Sequence, residues 1–226
     1  MINILKKILP KRILSFLKRI AFIYLKIGGP KYDFNVEPIL LATIINELER
    51  LKPVKGNILE IGVARGMTTR FICEHLKLQS FNEDLLFAID TFDSFTDDDL
   101  NFEVNERGKK LSDLREFEFI NIEAWSSYFK EFDFLKPIKS DCSILEYEKF
   151  GPIKLSLLDV DLYLPTLKTL QKLYRNTLDG GVIIVDDVKD NMTYDGAFQA
   201  YMEFCKEIGK KPNIVGNRCG LIYKNK

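Results

Sequence analysis

The stretch Asn57-Ile-Leu-Glu-Ile-Gly-Val-Ala-Arg-Gly-Met-Thr-Thr69 decides the fold of this chain. Its short apolar run predicts a buried strand that ends near Glu60, and Gly62 and Gly66 predict a glycine turn that opens a helix. We expect both glycines to let the backbone approach a ligand closely, because a side chain at either position would collide with it. The alternative is an ordinary strand–turn–helix junction of the kind that all α/β folds contain.

The spacing within this turn indicates the charge of the ligand. It reads E-x-G-x-x-x-G, whereas a dinucleotide-binding fold has G-x-G-x-x-G and rests a pyrophosphate on the helix N-terminus. Glu60 occupies the first glycine position, where a carboxylate repels phosphate and suits a cationic ligand. The stretch therefore resembles motif I of the class I S-adenosylmethionine-dependent methyltransferases, whose cofactor carries an ammonium, a sulfonium and no phosphate.

Composition limits the classes of protein to which the chain can belong. With 226 residues and 46% hydrophobic composition, it is long enough for one domain and a short extension. Eight Lys and Arg lie within residues 1–31 and no acid does, so the rest has 25 bases against 33 acids. An acidic body argues against nucleic acid as a partner. The four cysteines form no C-x-x-C motif, so we expect reduced thiols, as in a cytoplasm. No apolar run reaches the roughly 18 residues that a membrane-spanning helix needs, so we expect a cytoplasmic protein.

Residues 1–36 read as a basic amphipathic extension to a methyltransferase domain at residues 37–226. Apolar clusters alternate with paired bases over residues 2–27, interrupted by Pro10 and ended by Gly28-Gly29-Pro30. One interpretation is peripheral contact of residues 1–27 with an anionic membrane. The other is that the apolar face packs on the domain or on a second subunit, in a homo-oligomer. The sequence leaves both open.

From residue 37 onward, helical and strand patterns alternate. This order predicts a Rossmann-like α/β fold, a doubly wound and mainly parallel seven-stranded sheet with helices on both faces. The strands are predicted at 58–61, 85–89, 137–140, 153–159, 181–185, 212–216 and 219–223. The helices between them are predicted at 66–78, about 119–131, 143–149, 164–177 and 194–209. The last two are too close for a crossover helix and should form an antiparallel hairpin. A polar excursion at residues 93–113 is expected to fold over the ligands as a lid, the alternative being a plain solvated loop.

Acidic residues stand at the carboxyl end of each of the first five predicted strands, at the sheet edge where parallel α/β folds bind ligands. Asp90 follows the glycine turn by about 30 residues, where its carboxylate can accept hydrogen bonds from both hydroxyls of a ribose. Asp141, after the third strand, is placed to meet the adenine amino group. A turn or helix-capping role is the alternative for any one of these acids.

Three further acids come from adjacent strands, Asp159 from the fourth and Asp186-Asp187 from the fifth. Their mutual repulsion would be costly, and a bound divalent cation would relieve it. Oxygen ligands without His or Cys favour Mg²⁺, Mn²⁺ or Ca²⁺ over zinc. The alternative is that a neighbouring base pairs with these acids: Lys154, Lys189 or Arg218.

Four motifs together resemble the TylF/MycF-type (macrocin) O-methyltransferases over residues 37–223. They are Glu60-x-Gly62-Val63-x-Arg65-Gly66, Asp90-Thr91-Phe92, Leu157–Thr166 and Gly180–Asp187. The resemblance implies Mg²⁺-dependent methyl transfer from S-adenosylmethionine to a sugar hydroxyl of a small-molecule or glycan acceptor. It implies Glu60, Gly62, Val63, Gly66 and Asp90 as cofactor-binding residues, to which the position of Asp141 adds a sixth. It implies Asp159, Asp186 and Asp187 as the metal ligands. Val160 and Leu164-Pro165 depart from the family pattern, on the acceptor side.

A carboxylate beside the metal, Asp159 for preference, is the predicted catalytic base. Three alternatives to the sugar enzyme stay open from the sequence. Two are enzymes, a catechol-like O-methyltransferase and a relative of the cephalosporin hydroxylases. The third is a non-catalytic binding or assembly protein that keeps the fold.

Overall fold

The computed structural model describes residues 10–32, 36–79, 84–114 and 121–225. The chain divides into two units, residues 1–35 and residues 36–226. Unit 1 contains helix α1 (Lys11–Tyr24), which begins after Pro10 and has no buried residue. Residues 1–9 of the predicted amphipathic segment lie outside the described residues.

Unit 2 alternates helices and strands in the predicted order. Its helices are α2 (Pro38–Arg50), α3 (Met67–Leu78), α4 (Asp97–Asn105), α5 (Ile122–Ser127), α6 (Tyr163–Asn176) and α7 (Gly196–Glu207), with short 3-10 helices at Leu111–Asp113 and Tyr147–Phe150. Its strands are β1 (Asn57–Ile61), β2 (Leu86–Asp90), β3 (Leu135–Lys139), β4 (Ile153–Leu158), β5 (Thr177–Val185), β6 (Ile214–Val215) and β7 (Cys219–Tyr223).

The seven strands form one sheet in the order β3-β2-β1-β4-β5-β7-β6. The first five strands pair in parallel, while β7 pairs antiparallel with both β5 and β6. The mainly parallel sheet and its antiparallel C-terminal hairpin are therefore confirmed. The strand order reverses between β1 and β4, so a ligand crevice is expected beyond the carboxyl ends of these two strands.

Helices cover both faces of the sheet, because successive strand residues point to opposite sides. Ile58 packs in one buried cluster with Leu48 of α2 and Ile72 of α3. Leu59, the next residue along β1, packs in a second cluster with Leu170 of α6 and with residues of α7. Two cores hold the sheet from either side and fix the positions of its carboxyl ends.

Several boundaries differ from the sequence prediction. Strand β3 begins at Leu135 and includes Pro137. A proline is tolerated there because β3 is an edge strand and, among the described strands, pairs only with β2. The short helix expected at 143–149 is a 3-10 turn at Tyr147–Phe150. Residues 119 and 120 of the helix expected at about 119–131 lie outside the described residues, and the described part of this prediction contains α5, Ile122–Ser127. The polar excursion at 93–113 contains α4, whose N-terminus is capped by the Thr96 hydroxyl accepting from the Asp99 N–H.

All four cysteines are buried and form no disulfide. Among the described helices, none has both the length and the apolar character to cross a bilayer. The cytoplasmic location stays a prediction.

Candidate active site

In the turn after β1, neighbouring atoms of the protein leave no room for a side chain at Gly62 or Gly66. Gly62 has a φ of +82°, and a Cβ there would lie 1.7 Å from the carbonyl oxygen of Asp159. Gly66 has a φ of +84°, and a Cβ there would lie 2.7 Å from the Phe129 ring and 2.8 Å from the Trp125 indole. Close packing and the left-handed backbone therefore account for both glycines. The approach of a ligand to them stays a prediction.

Glu60 lies at the base of this turn and is only 1% exposed. Burial raises the pKa of Glu60 to about 8, with an interaction with Thr69 of α3 opposing the shift and the charge of Asp90 adding to it. Its Oε2 atom has no hydrogen-bond partner among the described residues. The side chain is therefore enclosed by protein, and its contact with a cationic ligand stays a prediction.

Asp90 connects the end of β2 to the glycine turn. Its Oδ2 atom accepts hydrogen bonds from the N–H groups of Val63, at 2.8 Å, and Ala64, at 3.3 Å. Its Oδ1 atom accepts from the Phe92 N–H at 2.7 Å. The predicted cofactor residues Asp90 and Val63 are thus brought together at the carboxyl ends of the adjacent strands β2 and β1. Ribose binding by Asp90 stays a prediction.

Asp141 lies two residues beyond β3, and its Oδ1 atom accepts from the Ser143 N–H at 2.7 Å. The loop excursion supplies a neighbour that the sequence did not predict, Asp99 of α4. Burial raises the pKa of Asp99, the Thr96 hydroxyl opposes the shift, and the charge of Asp141 adds to it. The adenine contact of Asp141 stays a prediction.

Three acids converge beyond the ends of β4 and β5. Asp159, Asp161 and Asp187 each have a carboxylate oxygen, and these three atoms lie within 4.8 Å of one another. All three residues are partly exposed, so a ligand can reach them. Asp161 and Asp187 have left-handed φ angles of 62° and 53°, and strain of this kind concentrates at functional sites. Burial and the repulsion between these acids raise the pKa values of Asp159 and Asp161.

Asp186 lies outside this cluster, although the sequence predicts it as a metal ligand. Its side chain is 1% exposed and accepts from Nε and Nη2 of Arg218 at 2.7 and 2.6 Å. Arg218 Nη2 also lies 3.0 Å from Asp187 Oδ1. Burial raises the pKa of Asp186 to about 6, and the hydrogen bonds from Arg218 oppose the shift. The structure therefore groups Asp161 with Asp159 and Asp187, and pairs Asp186 with one of the bases considered from the sequence.

The segment around α4 adds an ion-pair network beside the cluster. Glu103 is 1% exposed; its Oε1 accepts from the Tyr163 N–H at 2.7 Å and its Oε2 from Arg107 Nε at 2.8 Å. Arg107 Nη2 donates at 2.5 Å to Oδ1 of Asp195, the residue that precedes α7. The Ala197 N–H, in α7, donates to the Asp161 carbonyl at 3.0 Å. Sequence reasoning missed this network, although Glu103 and Arg107 have the i, i+4 spacing of a helical ion pair.

A family model described as Macrocin-O-methyltransferase (TylF) matches residues 41–214. The chain belongs to the TylF family. The resemblance inferred from the motifs is confirmed, and the TylF family identifies the chain as an S-adenosylmethionine-dependent O-methyltransferase. An enzyme is therefore favoured over a non-catalytic assembly protein.

Solved structures share the fold of this TylF family member. "Structure of the O-methyltransferase NovP" aligns with a TM-score of 0.65 and 18% identity, over 83% of this chain and 80% of that chain. "Crystal Structure of CalS11, Calicheamicin Methyltransferase" aligns with a TM-score of 0.68 and 16% identity, over 99% and 90%. MycE, in complex with Mg and SAH, aligns with a TM-score of 0.50 and 12% identity, over 82% and 49%. At these identities the likeness establishes the fold. A search of curated proteins finds no match.

Proposed function

We propose that this chain is a Mg²⁺-dependent sugar O-methyltransferase that acts on a glycan or a glycosylated metabolite. The observation that carries the proposal is the acidic cluster Asp159, Asp161 and Asp187, partly exposed at the ligand-binding edge of a TylF-family sheet. The glycine turn of motif I lies against the same strand end, because Gly62 packs on the Asp159 carbonyl. Cofactor and acceptor sites are therefore expected to be adjacent.

The residues of the cluster fit a hard divalent cation. Three carboxylates supply oxygen donors. The guanidinium of Arg218 pairs with both Asp186 and Asp187, so its positive charge does not neutralise the three acids of the cluster. Oxygen donors without His or Cys suit Mg²⁺ or Mn²⁺. We therefore propose Asp159, Asp161 and Asp187 as the ligands, so that Asp161 takes the place that the sequence assigned to Asp186.

When bound, S-adenosylmethionine supplies an electrophilic methyl group, and Mg²⁺ supplies a Lewis acid that orients a sugar hydroxyl and makes its proton easier to remove. The Asp159 carboxylate is the proposed acceptor of that proton. The Asp159 N–H donates to the Ile61 carbonyl at 2.8 Å, which holds this base at a fixed distance from the cofactor turn. Fixed placement of the reacting groups is itself a large part of catalysis.

The sugar acceptor is supported by the family description and by the names of similar proteins. One CalS11 structure, similar to this chain with a TM-score of 0.59, is described as a TDP-rhamnose 3'-O-methyltransferase. A sugar acceptor, either nucleotide-linked or part of a glycan, is accordingly the first class to test.

The test is calorimetric titration with S-adenosylhomocysteine and with Mg²⁺ or Mn²⁺, followed by methyl transfer to nucleotide sugars, glycans and catechols. Asp161→Asn should abolish the metal heat and lower turnover by orders of magnitude, while nucleoside binding persists. The matched control is Asp190→Asn, the same change at an exposed residue outside the cluster. Metal binding that survives in Asp161→Asn would overturn the proposed ligands, and methylation of catechols alone would overturn the sugar acceptor.

A further inference from the structure

We propose that helix α1 (Lys11–Tyr24) binds the surface of an anionic lipid membrane, with its axis in the plane of the membrane and its apolar face inserted. This inference concerns unit 1 and does not depend on the proposed catalytic function. It rests on the helix face, on the distribution of charge and on the length of the helix.

Five apolar residues share one face of α1, at the spacing i, i+3, i+4, i+7 and i+11. They are Ile13, Phe16, Leu17, Ile20 and Tyr24. Four of them are strongly exposed: Ile13 by 47%, Phe16 by 62%, Leu17 by 47% and Tyr24 by 76%. A continuous exposed apolar stripe of this kind marks an interaction surface. Phe22 lies outside the stripe.

The opposite face of α1 is basic. Lys11, Arg12, Lys18 and Arg19 lie on it, with Ser15 between them at the same helical spacing. No Asp or Glu occurs anywhere in residues 1–31. Phe22 also lies on this face, at the i+4 position from Lys18. The four bases still dominate the face, and an apolar face opposite a basic face is the pattern of interfacial membrane binding.

This charge distribution favours an anionic lipid surface over a second copy of α1. Two copies packed through their apolar stripes would bring together helices that carry only positive charge, whereas anionic lipids attract each base near the surface by about 1 kcal/mol. The 14 residues of α1 span about 21 Å. That length is short of the roughly 30 Å hydrocarbon core, so α1 is expected to lie in the membrane plane.

The test is co-sedimentation of the full chain with vesicles of phosphatidylcholine alone, and with vesicles that also contain roughly a third phosphatidylglycerol. We expect binding to the anionic vesicles only, weakened at high salt. Neutralising Lys18 and Arg19 to Gln should lower the affinity by about 25-fold, since about 1 kcal/mol for each base is about fivefold.

A matched pair of variants separates insertion from charge alone. Phe16→Glu and Ser15→Glu change the net charge equally but lie on opposite faces of α1. Phe16→Glu should lower the affinity at least tenfold more than Ser15→Glu, because only Phe16 is buried in the lipid interface. In addition, Phe16→Trp should show a blue shift of fluorescence on anionic vesicles.

Three results would overturn the proposal. They are absence of vesicle binding, equal binding to neutral and anionic vesicles, and equal effects of Phe16→Glu and Ser15→Glu. Light scattering measures the oligomeric state. If Phe16→Glu dissociates an oligomer and the wild type does not bind vesicles, then the apolar stripe packs on a second copy of the chain.

Discussion

Replacement of Arg218 by Met should destabilise the fold, because it leaves a buried carboxylate without its partner. The Asp186 side chain is 1% exposed and receives two hydrogen bonds from the Arg218 guanidinium, at 2.7 and 2.6 Å. Burial, and after it the charge of Asp187, raise the pKa of Asp186, and Arg218 is the base that opposes this shift. Arg218→Met removes that compensation and keeps most of the apolar side chain.

The magnitude follows from the cost of breaking a buried ion pair on one side, about 3–5 kcal/mol. For a chain of this size that loss lowers the melting temperature by roughly 6–20 °C. The paired change Asp186→Asn with Arg218→Met removes both charges, so its cost should fall well below the sum of the two single changes. Arg218→Lys keeps the charge but loses the two-pronged geometry, and should be intermediate.

The assay is urea unfolding of the wild type, both single variants, the double variant and Arg218→Lys, in the presence of chelator. Mn²⁺ binding to Asp186→Asn and Asp161→Asn then separates the structural acid from the proposed ligand. The reasoning fails if Arg218→Met costs less than about 1 kcal/mol and Asp186→Asn loses Mn²⁺ as completely as Asp161→Asn. In that case Asp186 is a ligand, as the sequence predicts.

Three further predictions concern the glycine turn and the α4 network. Gly62→Ala should cost about 3 kcal/mol or more in urea unfolding, because the new Cβ meets the Asp159 carbonyl at 1.7 Å; Gly108→Ala, at φ +68° with nothing described within 4 Å, should cost only about 1 kcal/mol. Burial raises the pKa of Glu60 from 4.5 to about 8, so the folded state binds this proton more tightly than the unfolded state does. The free energy of unfolding should therefore fall by up to about 5 kcal/mol as the pH rises through this window. Urea unfolding at pH about 5 and about 8.5 measures this fall, and Glu60→Gln should remove the contribution of Glu60 to it. The Glu103 carboxylate holds the start of α6 beside the acidic cluster, because it accepts from the Tyr163 N–H. Glu103→Gln should therefore weaken Mn²⁺ binding several-fold in calorimetry and leave S-adenosylhomocysteine binding unchanged. Unchanged Mn²⁺ affinity would show that the network only stabilises the fold.

The sheet could be predicted from the sequence because its signals are local. The apolar run Val182–Val185 of β5 is buried on both faces, so its composition marks it as a strand of a parallel sheet. The hairpin was predictable because the residues between β6 and β7 are too few for a crossover helix. Strand β3 was misplaced at its start because Pro137 is normally a strand breaker, and its edge position is a property of the whole sheet.

The partners of the acids were less predictable, because adjacent residues at a strand end point in different directions. Asp186 and Asp187 look equivalent in the sequence, yet Asp186 is enclosed beside Arg218 and Asp187 joins Asp161. Arg218 comes from the turn before β7, 32 residues further along the chain. Only the antiparallel pairing of β7 with β5 brings it to this edge of the sheet.

The sequence by itself determined the α/β class, the succession of strands along the chain, the family and the carboxylates available at the ligand-binding edge. Local periodicity and short motifs carry that information, because they describe neighbours along the chain. The tertiary structure decided which carboxylates meet. It also decided that Glu60 is enclosed, that the glycines serve close packing, and that α4 orders the excursion through Glu103 and Arg107. Those outcomes depend on contacts between residues far apart in sequence, whose distances are set only when the strands pair and the helices pack on the sheet.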